Sequence, residues 1–390
     1  MTSRTEVAFA AHTRQIAGHA IRDFPKKLPE DAVTLAHGHG SIPKLVRAGQ
    51  RPLDICSPLT PPTRRAPRAP LLPSAQIGQI QSVNVEVTQQ ALMSLCLMLS
   101  SSENKMVAIG AGLCPVLTKL LGDADPTVRQ RAVVLFGLLA VHPKGQAAIR
   151  DCGAIQELVN LYDDEEWDVR QGAYLAIYHL SNGRDGAAAI IERDILAILV
   201  RNGRDEEADL QEIALDTLYN LVRTEDGLAD AFNYPTIDVI REVLEVSDAE
   251  GVQERAARIL TTLCFPYEAK ETAIECGCIP TLAVCLKSPN GNVREACASA
   301  LMAITIDDVA KTVAHSCNVT DALVDLLDDE FETVQLASVK AISNLAHLPK
   351  ARAHLVARGT EALLEPLTAS DNVLIARNSK QALQLVQMEM

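Results

Sequence analysis

One feature limits the fold of this chain more than any other. A helix-spaced pattern of an aliphatic, a small and a large apolar residue returns at near-constant intervals along it. It is clearest from Val334 to Leu345, where Val334 is followed by Ser338 at plus 4, Ile342 at plus 8 and Leu345 at plus 11. Those offsets place all four on one stripe of an α-helix. Taking the first residue as an anchor, the pattern falls at Val87, Val128, Val169, Leu210, Val252, Val293, Val334 and Ile375. The interval is about 41 residues, within the range of helical repeat families, and it lengthens by a single position only between Leu210 and Val252. The plus 4 position is always small (Ala91, Ala132, Ala173, Ala214, Ala256, Cys297, Ser338, Ser379), and plus 8 is always large, from Leu95 to Leu383.

A period of this length with this stripe implies an all-α chain, an α-solenoid of armadillo or HEAT type. The expected form is a right-handed superhelix of about eight such repeats. Position minus 16 reads Gly112, Gly153, Asp194, Thr236, Gly277, Asn318 and Gly359, residues suited to a left-handed turn between a short first helix and a second. Before the third helix stand Asp125, Glu166, Glu207, Asn290 and Asn372, able to cap it or favour its positive end. Aromatic residues make up only 3% of the chain, so the core is aliphatic.

The chain divides into four parts. Residues 1–23 read as a mobile tail, and 24–48 as a partial first repeat in which Gly40-Ser-Ile-Pro-Lys-Leu echoes Gly277-Cys-Ile-Pro-Thr-Leu. Residues 49–80 hold seven prolines with Arg51, Arg64, Arg65 and Arg68, the composition of a disordered or extended insertion. The solenoid then runs over 81–390. Residues 1–86 carry a net charge of +5 and the rest −19, so a basic amino-terminal part precedes an acidic body. That balance argues against wholesale binding of nucleic acid or an anionic membrane. No apolar run reaches membrane-spanning length. Arg4, Arg14 and Arg22 are thin evidence for a mitochondrial leader, with Glu6 and Asp23 against it.

The ten cysteines read as reduced thiols of a cytoplasmic protein, with Cys152, Cys276 and Cys317 all at position minus 17 from an anchor. Cys276-x-Cys278 with Cys285 lacks a second ligand pair, and His37-Gly-His39 stands alone, so no metal is expected. Nor is a cofactor, a small-molecule substrate or an enzyme activity, because no nucleophile elbow, phosphate loop or zinc-protease motif occurs.

Two surfaces remain as protein-binding candidates. Plus 6 and plus 10 lie a turn apart on the third helices and should face the inner groove. The candidates there are His179, Asp216, Asn220, Arg258, Thr262, Lys340 and Asn344. The amides could grip a peptide backbone or be ordinary surface groups. The loops before the third helices repeat an acidic cluster, with Asp163, Asp164, Glu165, Glu166, Asp205, Glu206, Glu207, Asp328, Asp329 and Glu330. Stacked, they would form an acidic edge for a basic partner segment, or serve solubility and capping.

Gly277-Cys-Ile-Pro-Thr-Leu and Ala341-Ile-Ser-Asn-Leu resemble the armadillo consensus. The import adaptors of that family carry a Trp–Asn array. Here plus 6 is never Trp and plus 10 is Asn only at Asn220 and Asn344. Leu210-Gln-Glu-Ile-Ala-Leu-Asp-Thr-Leu, Glu254-Arg-Ala-Ala-Arg-Ile-Leu, Ala300-Leu-Met-Ala-Ile-Thr and Val339-Lys-Ala-Ile-Ser-Asn-Leu-Ala resemble the armadillo proteins of ciliary radial spokes. That resemblance implies a non-catalytic scaffold of the radial spoke in the axoneme of motile cilia or flagella, part of the cytoskeleton. Its partners would be other spoke subunits, with the basic amino-terminal region near the doublet microtubule. The alternatives are an armadillo nucleotide exchange factor for a heat-shock 70 chaperone and a soluble peptide-binding adaptor.

Overall fold

The structure, a computed structural model, describes residues 73–82 and 84–388. The tail 1–23, the partial repeat 24–48 and the insertion up to residue 72 lie outside the described residues. Pro73–Gln79, within the stretch read as an insertion, is a helix (α1). Pro73 opens it, where a missing N–H costs nothing, and Ile77 and Ile80 are buried. The described residues are helical throughout, without a strand.

They fall into two compact units that divide between Ala176 and Ile177. The first holds α1, α2 (Val85–Met98), α3 (Ser102–Gly110), α4 (Leu113–Leu120), α5 (Pro126–Ala140), α6 (Pro143–Asp151), α7 (Ala154–Asn160) and the start of α8 (Trp167–Ser181). The second continues with α9 (Arg184–Ile191), α10 (Ile195–Asp205), α11 (Ala208–Val222), α12 (Glu225–Ala231), α13 (Thr236–Val246) and α14 (Glu250–Leu263). It is completed by α15 (Tyr267–Glu275), α16 (Cys278–Cys285), α17 (Gly291–Ile304), α18 (Asp308–Ser316), α19 (Val319–Asp325), α20 (Glu332–Leu345), α21 (Pro349–Ala357), α22 (Thr360–Leu367) and α23 (Val373–Val386).

Each repeat is a short helix, a second helix and a long third helix. The third helices α11, α14, α17, α20 and α23 pack each on the next within the second unit, as α2 does on α5 in the first. The triplet explains this order. Anchors from Val128 to Ile375 are buried, as are all the small plus 4 residues and the plus 8 residues from Leu95 to Ile342. A small residue at plus 4 lets neighbouring third helices approach while their large residues interlock. The ends differ. Val87 is exposed and Leu383 half-buried, each at an end of the described repeats where a neighbour's cover runs out.

The turns follow the minus 16 position. Gly112, Gly153, Gly277 and Gly359 have positive φ, and Asp194 and Asn318 are the non-glycine residues that share it. Thr236 departs from this, in the repeat that carries the extra residue. Pro235 supplies the turn there, and the Thr236 hydroxyl donates to the Ala231 carbonyl at 2.7 Å.

Candidate functional site

The loops before most of the third helices are built by a recurring clasp, which the repeats anchored at Leu210 and Ile375 lack, with Gln211 bonding the Arg204 carbonyl instead and Ala376 at plus 1. At minus 5 stand Ser82, Asp123, Asp164, Asp205, Ser247, Ser288, Asp329 and Ser370. At most of these positions the side-chain oxygen takes the N–H two residues on, as Asp123 does from Asp125 at 2.8 Å, Asp164 from Glu166 at 2.9 Å and Asp329 from Phe331 at 3.0 Å. Ser247, Ser288 and Ser370 do the same. The plus 1 side chain then reaches back to the minus 5 carbonyl. Arg129 bonds Asp123 O at 2.9 Å, Arg170 bonds Asp164 O, Gln253 bonds Ser247 O, Arg294 bonds Ser288 O and Gln335 bonds Asp329 O. Short polar side chains stabilise such turns by mimicking a backbone turn.

This clasp absorbs part of the acidic edge. Arg129 forks onto Asp164, Nε to Oδ2 at 2.7 Å and Nη2 to Oδ1 at 2.9 Å. Arg294 does the same to Asp329. Both carboxylates are thus internal staples rather than edge charges. Burial works to raise the Asp164 carboxyl, but the Arg129 fork and the Glu166 N–H together hold it below the usual carboxylate range. Asp205 is paired to its neighbour Arg204 at 2.7 Å. Glu206 and Glu207 stand in the same loop, and Glu207 gives no side-chain cap to α11, unlike Asp125, Asn290 and Asn372. Asp163, Glu165 and Glu166 in the first unit, and Asp205, Glu207, Asp328 and Glu330 in the second, are the exposed carboxylates.

The groove candidates come together in the second unit, on successive third helices. Asn220 Nδ2 donates to Ser181 Oγ at 2.9 Å and to Asn182 Oδ1 at 3.3 Å, and Asn344 Nδ2 donates to Met302 O at 2.8 Å. Both amides therefore spend their donor side tying one repeat to the one before. His179 lies against the Tyr178 ring, Thr262 bonds the Arg258 carbonyl within its own helix, and Lys340 is half-buried on α20.

The charged residues form a ladder of which the plus 6 reading held only Asp216 and Arg258. Arg255 bridges Asp216 at 2.9 Å and Glu212 at 3.0 Å. Arg258 pairs with Glu254 at 3.0 Å and stands 3.9 Å from Glu295, which accepts from Ser299. Four carboxylates thus face two guanidinium groups across α11, α14 and α17. Burial is the main cause that raises the Glu212 and Asp216 carboxyls, against the pull of Arg255. The missed residues did leave a signal. Plus 2 is Gln at Gln89, Gln130 and Gln171, then Glu at Glu212, Glu254 and Glu295. The surface is acidic across α11, α14 and α17, which suits a basic, extended ligand, and gives way to Leu336 and Arg377 at the same position on α20 and α23.

Among the described residues no three metal-ligating side chains cluster to hold an ion, and no helix is long and apolar enough to cross a membrane. The nine described cysteines are free thiols.

The fold is an armadillo-type α-solenoid. Residues 266–301 and 307–347 match the family model of the armadillo/beta-catenin-like repeat, and residues 90–233 match that of the non-SMC mitotic condensation complex subunit 1. No curated protein matches the chain. Among solved structures, an engineered protein is similar at 24% identity and a TM-score of 0.74, over 81% of this chain and 79% of its own. A designed armadillo repeat protein, in complex with the peptide (KR)4, is similar at 24% identity and a TM-score of 0.55, over 59% of this chain and 98% of its own. At such identities these likenesses show the fold alone.

Proposed function

We propose that this chain is a non-catalytic scaffold subunit of the radial spoke in motile cilia or flagella, and that it holds basic segments of neighbouring spoke proteins in the groove of its second unit. The observation that carries the docking role is the ladder of Glu212, Asp216, Glu254 and Glu295 against only Arg255 and Arg258. It leaves carboxylates in excess on a surface whose backbone is fixed by repeat stacking, so binding orders the ligand and not the protein. Two further findings support a repeat subunit of a larger assembly. The family model matched by 90–233 is that of a complex subunit, and the designed neighbour holds a Lys/Arg peptide. The spoke itself rests on the sequence resemblance of the segments beginning at Leu210, Glu254, Ala300 and Val339.

The test is fractionation of the tagged full chain in a ciliated cell. Axonemes are stripped of membrane and washed in high salt, from wild-type cilia and from cilia that lack radial spokes. Retention in the first and loss from the second is the expected result. Release with the soluble matrix, or equal retention without spokes, refutes the assignment and favours the exchange-factor and adaptor readings.

A further inference from the structure

A second surface lies away from the groove, at the joint between the third helix of one repeat and the first helix of the next. In the second unit, Phe265, Tyr267, Ile306 and Val309 are 81, 57, 60 and 61% exposed. Phe265 and Ile306 occupy the same position, plus 13 from their anchors, in adjacent repeats. The Tyr267 hydroxyl donates to Asp307 Oδ2 at 2.9 Å, which ties the phenol across the joint to the residue that follows Ile306 and lies two before Val309. The four side chains therefore form one patch. Isolated exposed apolar residues need no explanation, but a contiguous group of large ones does.

Repeat stacking does not require them. The residues at the same position elsewhere in the second unit are Asn182, Arg223 and His347, with the exposed Met388 after the last anchor. Nor does the core use them, since the buried side of each joint is filled by Ala269, Ala273, Ala310 and Ala314.

The charges around the patch are one-sided. Glu268, Glu271 and Asp308 are exposed at its rim. The two lysines of these helices' first turns are withdrawn. Lys270 is buried with Nζ on the carbonyls of Phe265 and Pro266, at 2.9 and 3.2 Å. Lys311 is buried with Nζ on Asp308 at 2.6 Å. The result is an apolar centre of two aromatic and two aliphatic anchors inside an anionic rim. A second copy of the chain laying this patch on its own equivalent would bring the same carboxylates face to face.

We infer that the joint formed by Phe265, Tyr267, Ile306 and Val309 is a docking site for a basic amphipathic helix of a partner protein. Adjacent helices in such stacks lie about 10 Å apart, and two turns of an α-helix span about 11 Å. Aliphatic residues at i and i+7 would meet the Phe265 and Ile306 positions. Lysine or arginine on the flanks would meet Glu268 and Glu271, since Asp308 is already paired with Lys311. This site is independent of which assembly the chain serves.

The probe is a fluorescent Leu/Lys peptide with leucines at i, i+3, i+4 and i+7, followed by anisotropy on the full chain. The expected result is saturable binding that falls at least about tenfold in Phe265→Ser/Ile306→Ser. Both side chains are exposed, and unchanged circular dichroism would show the fold intact. The Glu254→Lys/Glu295→Lys groove variant should retain the binding. A glutamate-for-lysine version of the peptide should bind at least about tenfold more weakly. Equal affinity in the patch variant, loss only in the groove variant, no binding at all, or equal binding of the acidic peptide would each overturn the inference. So would a wild-type dimer in sedimentation that the patch substitutions dissolve, because it would assign the surface to a second copy.

Discussion

Arg294 forks onto Asp329, in the loop of the following repeat, with Nε to Oδ2 at 2.7 Å and Nη2 to Oδ1 at 3.0 Å, while its Nη1 bonds the carbonyls of Ser288 and Pro289 at 2.9 Å. The two side chains are only 11 and 5% exposed. One guanidinium thus closes its own loop and fixes the loop of the next repeat. Removing one partner of a buried pair leaves the other charge uncompensated, at a cost of about 3 kcal/mol. Arg294→Gln alone should therefore lower the urea midpoint clearly. The double variant Arg294→Gln/Asp329→Ser should recover most of the loss, because it recreates the Gln253–Ser288 combination found one repeat earlier. A double variant no more stable than the single one would mean that the fork is not the unit that matters.

The equivalent pair in the first unit predicts an acid limit. The Asp164 carboxyl is held below its ordinary value near 3.8. A depressed folded value means that the unfolded chain binds the proton first. The stabilisation is complete above about pH 4 and is lost as pH falls through the lower folded value. Asp164→Asn should flatten the stability–pH curve below about pH 4 and be costly at pH 7. An unchanged acid limb would contradict the pairing.

Close approach of the helices makes a second class of prediction. At Gly186 an added Cβ would land on the Leu180 carbonyl oxygen, well inside van der Waals contact. Gly186→Ala should cost about 2 kcal/mol, although alanine normally favours a helix. The equivalent Ala310 and Ala351 already carry a methyl, so Ala310→Gly tests the opposite direction and should destabilise through lost packing and added backbone freedom. Both are read from thermal unfolding midpoints.

Cys152 is the thiol to watch. A hydrogen bond with Cys114 is the main cause that lowers its value, and the Thr118 hydroxyl at 3.5 Å adds to this against burial. A thiolate-stabilising site of this kind reacts early with electrophiles. Cys152 should be alkylated by iodoacetamide ahead of the buried Cys264 and Cys278, whose thiols burial pushes up. Thr118→Val should move the midpoint of its rate–pH profile upward, as mass spectrometry after timed labelling would show.

The fold was legible because repeat stacking writes itself into spacing. Val128, Ala132 and Phe136 had to face a neighbour, and every repeat renews that demand. The clasp was harder to read because chemistry varies while geometry holds. Arg and Gln both serve at plus 1, and Asp and Ser both serve at minus 5. The rule appears only when the positions are paired: Arg129, Arg170 and Arg294 precede Asp164, Asp205 and Asp329, while Gln211, Gln253 and Gln335 precede Ser247, Ser288 and Ser370. Counting acidic residues in a loop cannot separate Asp164, turned inward onto Arg129, from Glu165, turned to solvent. The groove charges other than Asp216 and Arg258 escaped for a similar reason. Glu212 and Arg255 lie nearer the start of their helices than plus 6, and long side chains carry them into the groove.

The central claim is that the acidic ladder of the second unit docks basic segments. Its most direct test is calorimetric titration of the full chain with the peptide (KR)4, which lacks the apolar residues the Phe265 patch would need. Saturable, salt-sensitive binding is predicted, weakened at least about tenfold in Glu254→Lys/Glu295→Lys and unchanged in Phe265→Ser/Ile306→Ser. No binding by the wild-type chain, or equal binding after the charge reversal, would contradict it.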